Sequence, residues 1–156
     1  MPENLKQVDN GFNRFDYDNV SIGTIGLEND NYLIVNKPKS LLTIPTKSEP
    51  KSLYQLLTQY LNQKEIHILN RLDKETRGLV VVAKNRYAAY LLQPTHEHME
   101  RRYLCLVHGI VKDDGRIENY IEKSEEDNKR KITDDKEKGK IAISNFKVIE
   151  RYEDTT

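Results

Sequence analysis

Asn70-Arg71-Leu72-Asp73-Lys74-Glu75-Thr76-Arg77-Gly78-Leu79-Val80-Val81-Val82-Ala83 is the most informative stretch of the chain. Its second half is an unbroken apolar, β-branched run and reads as a central strand. His67-Ile68-Leu69, just upstream, reads as a short strand, so the polar residues between form a tight turn. The turn crowds Arg71, Asp73, Lys74, Glu75 and Arg77 together. It ends at Gly78, which can adopt a backbone conformation that strains other residues. A carboxylate set among cations is held ionised, which suits Asp73 to act as a nucleophile or electrostatic stabiliser rather than as an acid. On residue chemistry alone the same stretch also reads as a solvated turn with a structural salt bridge.

Working outward, residues 21–27 alternate towards Ile22, Ile25 and Leu27. Glu28-Asn29-Asp30 is turn-forming, and Tyr32-Leu33-Ile34-Val35 is a short apolar run, so the three together predict a β-hairpin. Pro38 ends that strand because proline lacks the donor a ladder needs, and residues 37–50, with three prolines, read as loop. Ser52 can cap a helix whose Leu53, Leu56, Leu57, Tyr60 and Leu61 form one apolar stripe. Residues 87–92 have helical spacing, with Pro94 expected to end or kink the helix.

Residues 103–111 are apolar enough for a core strand, and Asp113-Asp114-Gly115 is a hairpin-type turn into residues 116–122. Residues 123–140 are almost wholly charged and read as a solvated insertion, while residues 141–149 alternate as a last strand. This order predicts an α+β protein with a mixed, mainly antiparallel sheet and flanking helices. Residues 1–20, polar and rich in Asn and Asp, read as an arm, and 21–156 as one domain. Because a closing strand would leave an open edge, the sequence is expected to be cut short at its carboxyl end.

With 156 residues, 37% hydrophobic and 32% charged, the chain is too lean for two comfortable domains and too apolar for disorder. Folding at this size buries roughly two thirds of the unfolded surface, enough for one core without staples. No apolar run reaches membrane-spanning length and the amino terminus lacks a secretory stretch, so a cytoplasmic location is expected. Cys105 is the only cysteine, which excludes a disulfide scaffold and a four-cysteine zinc site. Its neighbours Leu104 and Leu106 predict a buried thiol. His96-Glu97-His98 lacks the i, i+4 spacing of a helical zinc motif, so no metal is expected. The net charge of zero conceals a basic middle: residues 64–112 carry 9 basic and 5 acidic side chains. Such a region can face a polyanion, or can be an ordinary solvated surface.

The turn and the strand after it resemble the R-L-D-x-x-T-S-G-hydrophobic-run-A-K-N signature of the RluA-type pseudouridine synthases, continuing here as Ala83-Lys84-Asn85. Three further pieces stand in that family's order. Tyr32-Leu33-Ile34-Val35-Asn36-Lys37-Pro38, with the apolar-to-proline step at residues 42–45, is similar to its early lysine-proline strand. Arg102-Tyr103 through Gly109 resembles its basic-tyrosine strand, and Gly139-Lys140-Ile141-Ala142 its glycine-lysine-x-alanine strand start.

The resemblance implies isomerisation of a uridine in ribosomal or transfer RNA by a monomer, with no cofactor, metal or membrane. Uracil is detached from ribose at N1, turned while held, and rejoined through C5. Breaking the glycosidic bond leaves positive character on the sugar, which one carboxylate can stabilise or trap. Asp73 matches the family's catalytic aspartate. Tyr103 matches the tyrosine that stacks on the base and can take the C5 proton. Arg71 matches a residue that inserts where the uridine has flipped out. Thr76, Arg77 and Gly78 complete the substrate turn, and Lys37, Lys84 and Lys140 are phosphate-binding or structural cations.

Two positions depart from the signature. Asn70 replaces the usual histidine and can serve as the hydrogen-bond donor there, and Arg77 replaces the usual serine, adding charge that can reach phosphate. The family's later Gly-Arg-Thr-His-Gln-Ile-Arg motif, which supplies a cation to the aspartate, would follow residue 156, so these residues alone are expected to turn over little or no substrate. A non-catalytic RNA-binding module with the same fold is the competing expectation, and a protein-interaction domain a third.

Overall fold

Alternation and turn chemistry set the strands of the first half. The computed structural model describes residues 13–17, 20–124 and 130–156, and among these only the backbone of 13–17, 20–24 and 94–98. Two compact units result, Met1–Glu100 and Arg101–Thr156. The first holds β1 (Asn13–Tyr17), β2 (Val20–Glu28), β3 (Tyr32–Lys37), α1 (Leu53–Tyr60), β4 (His67–Ile68), β5 (Gly78–Ala83) and α2 (Arg86–His98). Its strands form an antiparallel sheet in the order β1-β2-β3-β5-β4. The expected hairpin is β2–β3: the Asn29 side chain accepts from the Asn31 and Tyr32 amides at 2.8 and 2.9 Å, closing an Asx turn. Residues expected as arm contribute β1 and, with Val20, the start of β2; residues 1–12, 18 and 19 of that arm lie outside the described residues.

The core cluster gathers Ile25, Leu33, Val35, Leu41, Ile66, Val80 and Val82 with Leu53, Leu56 and Leu57 of α1. Each such side chain, fully buried, contributes roughly 1.5–3 kcal/mol. Ser52 caps α1, its hydroxyl accepting from the Gln55 amide at 3.3 Å. Ser52→Ala is therefore expected to lower unfolding stability by about 1 kcal/mol, read from a shifted urea midpoint; an unmoved midpoint would contradict the cap. At the start of α2 the Asn85 side chain accepts from the Ala88 amide at 2.8 Å. That helix does not end at Pro94 but runs on to His98, since a proline removes one helical hydrogen bond without obliging the chain to leave the helix. The β-branched run forms β5, flanked on both sides as expected of a central strand; Val80 and Val82 are buried, while Leu79 is exposed on the opposite face.

The second unit is a three-stranded antiparallel sheet, β7 (Arg130–Thr133), β6 (Gly115–Lys123) and β8 (Lys140–Phe146), in the order β7-β6-β8. Part of the charged stretch thus pairs as β7; its residues 125–129 lie outside the described residues. At the β7–β8 connection Gly139 approaches closely: a Cβ there would stand 2.7 Å from the Tyr120 Cβ, so a side chain would displace the sheet. Residues 103–111 do not form the expected core strand. Their one ladder contact is the isolated His108–Thr155 bridge, with Val107 and Thr156 exchanging both backbone hydrogen bonds at 2.9 and 3.0 Å. A strand needs a neighbour of its own length, and among the described residues this segment has only the short tail. Leu104 and Leu106 accordingly remain exposed, as does the Cys105 thiol, which was expected to be buried.

Candidate active site

The turn holding Asp73 stands where three strand ends meet. Strands β3 and β5 run in unbroken register from Tyr32↔Ala83 to Lys37↔Gly78, bringing the end of β3 beside the exit of the turn. On the other side, β4 pairs with β5 through Ile68↔Val82 and the Leu69 amide, which donates to the Val81 carbonyl at 2.9 Å. Asn70 then extends this ladder with its side chain. Its Nδ2 donates to the Leu79 carbonyl at 3.0 Å, and its Oδ1 accepts from the Val81 amide at 2.8 Å. This is the donor role expected of the asparagine.

Within the turn the Thr76 amide donates to the Asp73 carbonyl at 3.1 Å. Gly78 has φ +146°, a conformation that side-chain-bearing residues rarely adopt, and a Cβ on it would lie 3.4 Å from Leu72 Cδ1. The backbone conformation, rather than lack of space, explains why the turn ends on glycine.

The charges crowded into the turn do not pair among themselves. Lys74 reaches out to Glu49 at 2.8 Å, which raises its pKa, and Glu75 accepts from the Ser40 hydroxyl at 3.1 Å. Asp73, Arg71 and Arg77 remain solvent-exposed and make no side-chain hydrogen bond or ion pair among the described residues. The turn thus carries one carboxylate and two guanidinium groups, all three exposed.

Lys37 lies beneath the loop. Alternation of β3 puts Leu33, Val35 and Lys37 on one buried face, and Lys37 is wholly inaccessible. Its Nζ donates to the carbonyls of Leu41 at 2.7 Å, Pro38 at 2.8 Å and Lys74 at 3.1 Å, using all three donors. Burial lowers the pKa of this ammonium from 10.5, against the opposing attraction of Glu75 and Asp73. These three bonds tie the end of β3 to the loop that follows it and to the Asp73 turn.

Lys84 is also engaged internally, on Glu28 at 2.5 Å, where Tyr60 donates as well at 3.1 Å. Lys140, at the start of β8, is exposed and makes no side-chain bond among the described residues. Tyr103 belongs to the second unit and is 64% exposed. Among the described residues no cluster of His, Cys, Asp and Glu could hold a metal ion, and no helix is long and apolar enough to cross a membrane. The His96 and His98 side chains lie outside the described set.

Thr43 is not among the site residues expected from the sequence. It is buried, its hydroxyl donates to the Leu72 carbonyl at 2.6 Å, and it accepts from the Leu72 amide at 3.2 Å. The partners are 29 positions apart, and an apolar stretch leading into a loop carries no local sign of such a contact.

Comparison with known proteins places this geometry in context. A family model described as RNA pseudouridylate synthase matches residues 31–156. The ribosomal large subunit pseudouridine synthase C of Rickettsia bellii is 35% identical over 128 residues, 78% of this chain and 42% of that protein. The ribosomal large subunit pseudouridine synthase D of Neisseria meningitidis is 37% identical over 132 residues, covering 80% and 35%. An uncharacterized RNA pseudouridine synthase of Bacillus subtilis, YlyB, is 32% identical over 141 residues, covering 83% and 46%. The chain therefore spans less than half the length of these relatives. Among solved structures, human RNA pseudouridylate synthase domain containing 4 superposes with a TM-score of 0.59 at 18% identity, over 84% of this chain and 55% of that one, a likeness of fold.

Proposed function

From a chain that belongs to the RNA pseudouridylate synthase family, we infer an enzyme that isomerises a particular uridine in ribosomal RNA, with Asp73 as the reacting carboxylate. The observation that carries this reading is the Asp73 carboxylate itself: solvent-facing, unpaired among the described residues, on a turn whose backbone is tied on both sides. Relatives named for the ribosomal large subunit favour ribosomal over transfer RNA. We take residues 21–156 as part of one catalytic region acting on RNA as a monomer in the cytoplasm.

In this mechanism the uridine leaves its stack at a cost of a few kcal/mol. The exposed guanidinium groups of Arg71 and Arg77 offset part of that cost by meeting phosphate or the vacated position. Asp73 stabilises or captures the electron-poor centre created when the N1 bond breaks. Once C5 has bonded to the ribose carbon, it carries both the new bond and its original hydrogen. Tyr103 passes that proton on to water while N1, freed from the ribose, takes one up in its place, so the ring regains its conjugation as a neutral uracil. Lys140 contacts phosphate, whereas Lys37 and Lys84 serve the substrate only by holding the sheet and turn. Thr76 and Gly78 shape the turn.

Each turnover releases the C5 hydrogen to water. The full-length protein, mixed with ribosomal RNA carrying tritium at uridine C5, is expected to release tritium in step with pseudouridine appearing in the RNA. Binding should weaken steeply as salt rises from 50 to 200 mM, because phosphate contacts displace counterions. Salt-sensitive binding with no tritium release would instead identify a non-catalytic RNA-binding module, and salt-insensitive binding would remove RNA from the account.

A further inference from the structure

We propose that Thr43 is a positioning residue for the reaction: its hydroxyl fixes the backbone from which Asp73 projects. This rests on Asp73 being the reacting carboxylate, as inferred above. A single hydroxyl serves both backbone groups of Leu72, the residue immediately before Asp73, donating at 2.6 Å and accepting at 3.2 Å. Thr43 is 2% exposed, so water cannot readily replace it there.

Thr43 is in turn anchored to the start of α1. The Tyr54 amide donates to the Thr43 carbonyl at 3.1 Å, and the Leu53 amide to the Leu42 carbonyl at 2.8 Å. These are amides that a helix amino terminus leaves without an internal partner, so the helix holds the 42–43 segment and that segment holds the turn. On the far side of Asp73, Lys37 grips the Lys74 carbonyl, and the Thr76 amide takes the carbonyl of Asp73 itself. Asp73 is thus held through the backbone of both its neighbours and through its own carbonyl. Without Thr43, both backbone groups of Leu72 lose their partner and the nearest tie before Asp73 is Asn70, three residues upstream, so Asp73 can swing about the contacts that remain. Reacting groups misplaced by about 1 Å can lose a hundredfold in rate, so a clamp at this point controls the chemical step rather than RNA affinity.

The test is single-turnover tritium release at saturating RNA, well below the melting temperature, using full-length protein with Thr43→Val, Thr43→Ser or Asp73→Asn. Valine keeps the shape of threonine and lacks the hydroxyl. Thr43→Val is expected to slow release at least about tenfold, with the RNA dissociation constant within about twofold of the unaltered protein, and Thr43→Ser to restore the rate. A role confined to stability would lower the melting temperature and leave the rate per folded molecule unchanged. If Asp73→Asn abolishes release while Thr43→Val matches the unaltered protein, this inference alone is overturned. If Asp73→Asn is fully active, the reading of Asp73 falls and this one with it. Should Thr43→Val fail to fold, hydrogen exchange in the unaltered protein decides: a protected Leu72 amide supports the clamp, and one exchanging as an open loop overturns it.

Discussion

Lys37→Met is expected to lower the unfolding stability of the protein by about 2–4 kcal/mol and its melting temperature by roughly 10 °C. Methionine fills a similar volume, so what is lost is chiefly the ammonium and its bonds to the carbonyls of Leu41, Pro38 and Lys74. Each buried acceptor left without a donor costs about 1–3 kcal/mol. Relief from burying a charge offsets part of that, because the desolvation of an ammonium is itself worth several kcal/mol. The Leu41 contact is fully buried and the other two are partly so, which makes the loss outweigh the relief. Against a typical domain stability of about 5–15 kcal/mol this is a large fraction, and urea unfolding would read it directly. A variant as stable as the unaltered protein would show that the ammonium does not hold the end of β3 to the turn.

The same site sets a dependence on pH. Burial lowers the Lys37 pKa below the 10.5 of an unfolded lysine. Between the lowered value and 10.5 the unfolded chain binds more protons than the folded one, so stability rises with pH across that window. Below it, the full desolvation cost of the ammonium is present. Lys37→Met lacks this contribution, so the advantage of the unaltered protein over the variant should widen as pH climbs towards 10.5. An advantage that shrinks over that range would contradict burial as the dominant influence.

Local chemistry was legible in the sequence, and contacts between distant positions were not. The Asx turn at Asn29, the Ser52 cap, the apolar stripe of α1 and the glycine at position 78 each follow from residues within a few positions of one another. The α+β architecture emerged from such pieces. Lys37 was half-legible: Leu33 and Val35 point inward, and a period of two carries position 37 to the same face, but an ammonium at a strand end is ordinarily taken to face water. Its bond to the Lys74 carbonyl spans 37 positions, and that of Thr43 to Leu72 spans 29, so neither leaves a mark on the local pattern. Residues 103–111 show the converse. Their apolar content signals a buried strand, yet burial depends on what lies alongside, and the backbone partners of this segment are only residues of the tail from Asp154 to Thr156.

The largest effect on activity belongs to Asp73. Asparagine preserves its size and removes its charge, so an electron-poor sugar or base would meet a neutral amide instead of a carboxylate. Exposed and unpaired among the described residues, Asp73 makes no side-chain bond whose loss would unfold the turn, which remains tied through Thr43, Lys37 and Thr76. Loss of the reacting carboxylate is expected to reduce the chemical step at least about a thousandfold, equivalent to roughly 4 kcal/mol of transition-state stabilisation, with melting temperature and RNA affinity little changed. The decisive measurement is tritium release from C5-labelled RNA by full-length Asp73→Asn, made beside its binding isotherm for the same RNA. The account predicts binding within about twofold of the unaltered protein and release reduced to background; release at the unaltered rate by a variant that binds normally would contradict it.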